Sequence, residues 1–351
     1  MRFAFLTSTP LSATEGSGTF VGIDTLAAGL RAAGHEVRIR PLTFRTGFHT
    51  LDRCLYNVGA ALSPPSADIV VGFDLDGFLW ARRRKARFVA SLKGIIADEL
   101  QHERGVVRGL LSLQARWERL NTERADLVAV TSEYCAGVAH ARYGVPRRKL
   151  VVVPEAIDLD HWRRRFAAAP RRPADRPVVL SVARMYPRKR LGDLLHAADR
   201  LRRRIPGVQV RIIGDGPEYA RLRGLRDARG LGDVVVLRGE VSQSELAAEY
   251  INADCFCLPS IQEGFGIVFL EAMAAGLAIV ACRAAAVPEV VADRETGLLV
   301  PPQNPEELAI ALETLLLSPG LRKDLAVRGQ ARVSEYAHDR VAERFLRAVN
   351  G

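Results

Sequence analysis

The feature that most constrains this chain is an alternation that runs, stops and starts again. Short segments rich in Val, Ile and Leu recur about a helix apart: RFAFLTS (2–8), EVRIRP (36–41), DIVVGFD (68–74), RFVASL (87–92), DLVAVTS (126–132) and KLVVVP (149–154). Between the first two, over roughly 20–33, Val21, Leu26, Ala27 and Leu30 fall near one helical face, and Gly34 stops the run. Apolar strands separated by helices predict a parallel sheet covered on both faces. The stretch RRRFAAAPRRPADRP (163–177) mixes arginine, alanine and proline with neither period. The alternation then resumes with VVLSVAR (178–184), VQVRIIG (208–214), VVVLRG (234–239), DCFCLPS (254–260), AIVACR (278–283) and GLLV (297–300). A helix over 190–204 turns Leu191, Leu194, Leu195, Ala198 and Leu201 inward, and the chain closes with a helical stretch over 304–349.

These patterns predict an α/β chain of two Rossmann-like domains. The first covers 1–165, a linker 166–177, and the second 178–332; a terminal helix, 333–351, packs back on the first. Two doubly wound sheets would face a central cleft. Ligands in such folds bind beyond the carboxyl ends of the strands, at helix N-termini.

The candidate residues fall at those strand ends. EGFGIVFLEAMAAG (263–276) follows a strand ending in LPS. Gly264 and Gly266 allow backbone amides to approach a ligand, and a helix beginning near Ile267 offers free N–H groups suited to a phosphate. Glu263 and Glu271 flank that N-terminus, where two acids make sense if they accept hydrogen bonds from ligand hydroxyls. An acidic first turn is also favourable in any helix. In VARMYPRKR, Arg184 ends a strand and Lys189 opens the next helix, so both can neutralise a diphosphate, while Arg188 and Arg190 read as solvated surface. GDGPE (214–218) and EGSGTF (15–20) are glycine turns before helices, and Pro217 suits a first helical position.

In this order, R-x4-K, GDGPE, the LPS strand end and E-G-F-G-x4-E resemble the retaining glycosyltransferases of the GT-B fold, often called family four. GLRAAGHEVRI (29–39) and TGLLVPPQNPEELA (296–309) resemble other segments of that family, so the likeness covers most of the chain and is densest over 178–310. It implies transfer of a sugar, with retention, from a nucleoside-diphosphate sugar (UDP- or GDP-linked) to a hydroxyl acceptor that is a glycan, a lipid or a small molecule. Arg184 and Lys189 would clamp the diphosphate, Glu271 would bind the ribose and Glu263 the transferred sugar. Gly264, Phe265, Gly266 and Ile267 would lend amides, Gly239 and Val241 would lie by the base, and Gly214 and Gly18 would approach the donor. Arg184, Lys189 and Glu263 are the catalytic candidates. Lys189→Ala should lower turnover far more than it harms folding.

Two departures mark this chain. Where the family often has a histidine near the transferred sugar, SLKGI has Lys93, on the sugar or acceptor side. Where it usually has P-N-G-V-D, this chain reads PEAID, with Glu155 and Ala156. Both bear on the choice of sugar or acceptor. Asp74-Leu75-Asp76 spells the D-x-D that other glycosyltransferases use to hold a metal, but basic residues already supply the countercharge. No metal and no cofactor are expected, the nucleotide sugar being a substrate.

The net charge of +10, from 50 Lys+Arg against 40 Asp+Glu, favours phosphate-bearing partners. Arg82-Arg83-Arg84-Lys85, Arg163-Arg164-Arg165 and Arg171-Arg172 lack interleaved aromatics, and nucleic acid is not an expected partner. The segment 104–124, with five arginines among leucines, reads as a helix packed inward on the sheet or one touching anionic lipid. Five scattered cysteines read as reduced core thiols, and no secretory signal or membrane-spanning run is evident. The expectation is a cytoplasmic protein, peripheral at the inner membrane surface if that helix meets lipid. A sugar-nucleotide epimerase or hydrolase on the same scaffold is the competing reading, separable by whether an acceptor is required.

Overall fold

The computed structural model describes residues 1–10, 17–43, 45–82, 85–171 and 176–351. It forms two compact units, Met1–Ala156 with His338–Gly351, and Ile157–Ala337. Each contains one six-stranded parallel sheet.

The first unit runs β1 (Arg2–Leu6), α1 (Ser17–Ala32), β2 (Glu36–Arg40), α2 (His49–Leu62), β3 (Ile69–Phe73), β4 (Arg87–Leu92), α3 (Ile96–Glu99), α4 (Gly105–Arg124), β5 (Leu127–Val130), α5 (Glu133–Tyr143) and β6 (Leu150–Val152). The second runs α6 (Leu159–Ala168), β7 (Val178–Val182), α7 (Leu191–Arg204), β8 (Gln209–Ile213), α8 (Tyr219–Ala228), β9 (Val235–Gly239), α9 (Gln243–Ile251), β10 (Cys255–Leu258), α10 (Ile267–Ala274), β11 (Ala278–Cys282), α11 (Val287–Val290), β12 (Gly297–Val300), α12 (Pro305–Leu317) and α13 (Pro319–Val333). The last helix, α14 (His338–Asn350), belongs to the first unit.

The strands β3, β10 and β11 are buried at every position. That is the pattern of a sheet with helices on both faces, and it is why their sequences are apolar throughout instead of alternating. In α7, Leu191, Leu194, Leu195, Ala198 and Leu201 are all buried, one stripe against the sheet. Local signals set several helix starts. Ser242 and Glu245 form a capping box at α9, and Asn304 caps α12 with Pro305 next. The strand orders are β2-β1-β3-β4-β5-β6 and β12-β11-β10-β7-β8-β9. The winding direction reverses between β1 and β3, and between β7 and β10, and open α/β sheets bind ligands beyond the carboxyl ends at such points.

Domain limits differ from those read in the sequence. Residues 157–165 lie in the second unit, and 166–168 continue α6 where a linker was expected. The cause is Trp162, which is buried and meets Phe166 at 5.1 Å and the Tyr250 ring edge-on at 5.6 Å. Arg163 and Arg164 face solvent on the same helix, so the apolar side was carried by too few residues to show a period. Residues 172–175 of the expected linker lie outside the described residues. The return to the first unit begins at His338, because the Tyr336 carbonyl accepts from Ile157 N at 2.9 Å and holds 333–337 to the second unit.

All five cysteines are free thiols, four of them buried. Among the described residues, no helix is long and apolar enough to cross a membrane.

Candidate active site

The second unit's winding reversal juxtaposes the segments that follow β7 and β10. After β7 the backbone is stapled to its neighbour: Ala183 N donates to the Ile213 carbonyl at 3.0 Å and Met185 N to that of Asp215 at 2.9 Å. The glycines of GDGPE make this approach feasible. A Cβ at Gly214 would lie 2.1 Å from the Ala183 oxygen, and one at Gly216 2.8 Å from Met185 N. Pro217 stands two residues before the first residue of α8 instead of at it, since the turn must first pass under Met185.

The stapled segment leaves Arg184 half-exposed, its guanidinium donating to Glu240 at 3.1 Å. Pro187–Lys189 forms a 3-10 turn and Arg190 takes a left-handed backbone, so Lys189 precedes the next helix and does not open it. Lys189 Nζ donates to Glu263 Oε1 at 2.5 Å, and the two side chains are 13% and 8% exposed. Burial alone would push the Glu263 carboxyl up, but the Lys189 charge and hydrogen bond and the Arg188 charge hold it below its ordinary value. Breaking so buried a pair leaves an uncompensated charge costing about 3–5 kcal/mol, so Lys189→Ala carries a folding cost that the sequence did not reveal.

The chain then enters α10 through Gly266, at φ +94°. A Cβ there would lie 2.6 Å from the Phe269 ring, so the close turn is a glycine turn by necessity. The first N–H groups of α10 carry the positive end of its dipole, with Phe269 N donating to the Gly266 carbonyl at 3.0 Å. Phe265 is buried with its ring edge-on to Tyr336 at 5.5 Å, which anchors the loop whose amides were expected to serve a ligand. Glu271 sits further along α10, buried, where Tyr250 Oη donates to it at 2.7 Å. Burial pushes its carboxyl up to about 7, against the opposing Tyr250 hydrogen bond and Arg165 charge. The two acids therefore differ in state, one held ionised by cations and the other poised near neutrality.

The remaining candidates divide between the units. Gly239, at φ +66°, accepts from Gly214 N at 2.8 Å, and Glu240 and Val241 follow it. Arg184, Lys189, Gly214, Gly239, Val241, Glu263, Gly264, Phe265, Gly266, Ile267 and Glu271 all belong to the second unit. Gly18 and Lys93 belong to the first. Gly18 is exposed in the first turn of α1; Glu15 and Gly16 of its loop lie outside the described residues.

In the first unit the two departures from the family pattern prove to be one feature. Lys93, beyond β4, donates to Glu155, beyond β6, at 2.8 Å, with side chains 7% and 4% exposed. A Cβ at Gly22 of α1 would come within 2.1 Å of the Glu155 carboxylate, so this helix leaves room for the pair. Burial raises the Glu155 carboxyl, against the Lys93 charge and hydrogen bond. The D-x-D acids are engaged by the protein itself. Asp74 accepts from Lys93 N at 2.9 Å, and Asp76 from Ser8 N at 2.5 Å and Asn57 Nδ2 at 3.1 Å. No group of three metal-ligating side chains occurs among the described residues.

Sequence reasoning missed Tyr250 and Arg165, which reach Glu271 from helices that carry no motif. It also misread two arginines as solvated surface. Arg188 lies 4.9 Å from the Tyr186 ring centre and its charge acts on Glu263, while Arg190 makes a paired contact with Asp193 at 2.9 and 2.7 Å. Arginines two residues apart look alike in sequence, but Arg188 lies within the 3-10 turn while Arg190 follows it in a left-handed conformation.

Comparison with known proteins agrees with this architecture. Residues 163–332 match the model for glycosyl transferases group 1, and residues 53–161 the model for glycosyltransferase family 4. A GDP-mannose-dependent alpha-(1-6)-phosphatidylinositol monomannoside mannosyltransferase from Mycobacterium tuberculosis is 29% identical over 344 residues, covering 94% of this chain and 87% of that protein. A D-inositol 3-phosphate glycosyltransferase from Actinosynnema mirum is 32% identical over 241 residues, covering 64% of this chain and 57% of that one. Among solved structures, a sucrose-phosphate synthase from Thermosynechococcus elongatus superposes with a TM-score of 0.81 at 21% identity, covering 99% of this chain and 98% of that one. Its fold, the order of the motifs and the two family matches agree: the chain belongs to the group 1 glycosyltransferases of the GT-B fold and is an enzyme of the hexosyltransferase type.

Proposed function

We propose that this enzyme transfers a hexose, with retention, from a nucleoside-diphosphate sugar held on the carboxyl edge of its second unit to a hydroxyl acceptor. The observation that carries the reading is the buried Lys189–Glu263 pair at 2.5 Å, whose acid lies four residues before the first residue of α10. There Lys189, Arg184 and the helix amides stabilise the charge that develops on the departing diphosphate. Contacts of this kind are each worth about 2–4 kcal/mol in the transition state. Glu263, kept ionised, accepts from hydroxyls of the transferred sugar, and Glu271 accepts from the ribose. Gly239 and Val241 border the base. Lys93 serves the sugar or acceptor side. The leaving phosphate takes the acceptor's proton as the new glycosidic bond forms on the same face. With cationic side chains and amides supplying the countercharge, the reaction needs neither a metal nor a cofactor.

GDP-mannose heads the donors to try, because the name of the mycobacterial relative that matches 94% of the chain specifies it. Inositol phosphates and their lipid derivatives head the acceptors for the same reason. The test has two arms. Donor binding should raise the melting temperature by linkage in a panel of GDP- and UDP-sugars. Nucleotide release should then depend on an added acceptor, with excess chelator leaving it unchanged. Release at full rate without any acceptor would favour an epimerase or hydrolase, and absence of stabilisation by every donor would remove the donor site as drawn.

A further inference from the structure

The helix α2 is built inside out. Its polar side chains face the protein: Asp52 accepts from Thr46 N at 2.7 Å, Arg53 donates to Gln114 at 3.2 Å, Tyr56 Oη donates to the Arg40 carbonyl at 2.7 Å, and Asn57 donates to Asp76 at 3.1 Å. Its solvent side carries Leu51, Leu55, Val58 and Leu62, with Phe48 just before them. The spacing of three and four residues makes these one stripe, and Phe48 and Leu62 are 73% and 81% exposed. The exposed positions of α2 include no Lys, Arg, Asp or Glu. Gln114 ties α4 alongside by donating to Thr50 at 2.7 Å. The first turns of α4 expose Val106, Val107, Leu110 and Leu113. Together the two helices hold eight of the thirteen large apolar side chains that the described residues leave exposed, nine with Phe48, a concentration that marks an interaction surface.

We propose that α2 and the N-terminal half of α4 form a docking face for an anionic lipid bilayer. The charge around the apolar stripe selects that occupant. Arg104, Arg108 and Arg116 are exposed on or beside α4, while the sole exposed acid of that helix, Glu123, pairs with Arg119 at 2.9 Å. Apolar side chains entering the headgroup boundary beside exposed arginines are how an interfacial helix holds a charged leaflet. A symmetric contact between two copies would instead press these arginines toward their own equivalents.

Flotation of the full chain with phosphatidylcholine vesicles, with and without an equal part of phosphatidylglycerol, tests this. Co-flotation with the mixed vesicles, weakening with salt and weaker on neutral vesicles, is the expected result. The surface variants Leu55→Asp with Leu110→Asp, and separately Arg104→Gln with Arg108→Gln, should fold with unchanged melting temperature. At about 1 kcal/mol per basic residue, the arginine pair should cost about thirtyfold in partitioning. Equal flotation of wild type and both variants would overturn the proposal, as would equal binding to neutral vesicles. So would a dimer, seen by sedimentation, that the leucine variant abolishes while wild type ignores both vesicles.

Discussion

Each unit buries one Lys–Glu pair just past its strand ends, yet the two acids titrate in opposite directions. Glu263 falls below the ordinary carboxylate value, while Glu155 rises above it. Burial opposes ionisation at both, and a lysine assists both. What differs is the next charge: Arg188 adds a second cation beside Glu263, whereas Asp74 adds an anion toward Glu155. The same two residue types therefore give a carboxyl held below its ordinary value in one unit and one raised above it in the other. Pair chemistry alone does not set the direction in which a buried acid shifts; burial and the neighbouring groups act with it.

The comparison breaks most sharply at Lys189. Lys189→Met should reduce kcat by about 10²–10³-fold, the scale of one lost transition-state contact, and also destabilise the fold. Adding Glu263→Gln should recover much of the stability in a urea titration while leaving turnover low. Recovery of turnover together with stability would assign the pair a purely structural role.

Next in size is the partner pair. With Lys93 replaced by Met, Glu155 can take up a proton, because its carboxyl is already raised. The loss should be about 1–3 kcal/mol, smaller than at Lys189, and it should shrink as pH is lowered. Donor-induced stabilisation should persist. Equal losses for Lys93→Met and Lys189→Met at every pH would remove the distinction drawn between the two pairs.

The smallest effect is the response to pH. Glu271 keeps its proton in the folded state up to about 7, whereas an unfolded glutamate releases it near 4.5. The native state binds more protons in that window, so this residue's contribution makes stability fall as pH rises from 4.5 toward 7. Glu263 acts oppositely: its lowered value stabilises the fold above 4.5, and that contribution disappears as pH falls through the folded value. Donor KM should increase below pH 7, as Glu271 takes up its proton and can no longer accept as a carboxylate. Tyr250→Phe removes a hydrogen bond that favours ionisation, so it should move the inflection to higher pH. An inflection that ignores Tyr250→Phe would separate Glu271 from donor binding.

Much of this was legible in the chain itself. Segments as short and apolar as IVVGF and AIVAC, recurring between helical stretches, read as strands buried on two faces, so the paired parallel sheets followed from composition and spacing. Glycines mark places where backbone must approach backbone, which is why EGFG and GDG could be placed at turns. The sequence analysis assigned no element to the α2 segment, for a definite reason. Its apolar period is strong but points outward, so the usual inference from period to core gives the wrong face. Trp162 and Tyr250 escaped because one aromatic on a short helix has no period to reveal it.

What the sequence determined alone was local: the alternation that forces two wound sheets, and the order of turns at their carboxyl edges, because strand burial and glycine stereochemistry act through near neighbours. What only the tertiary structure decided was pairing across distance. Lys93 meets Glu155 and Lys189 meets Glu263 over separations of 62 and 74 residues, and the sign of each acid's shift depends on charges that parallel winding brings alongside. Desolvation and Coulomb energy depend on separation in space, and distance along the chain does not fix that separation.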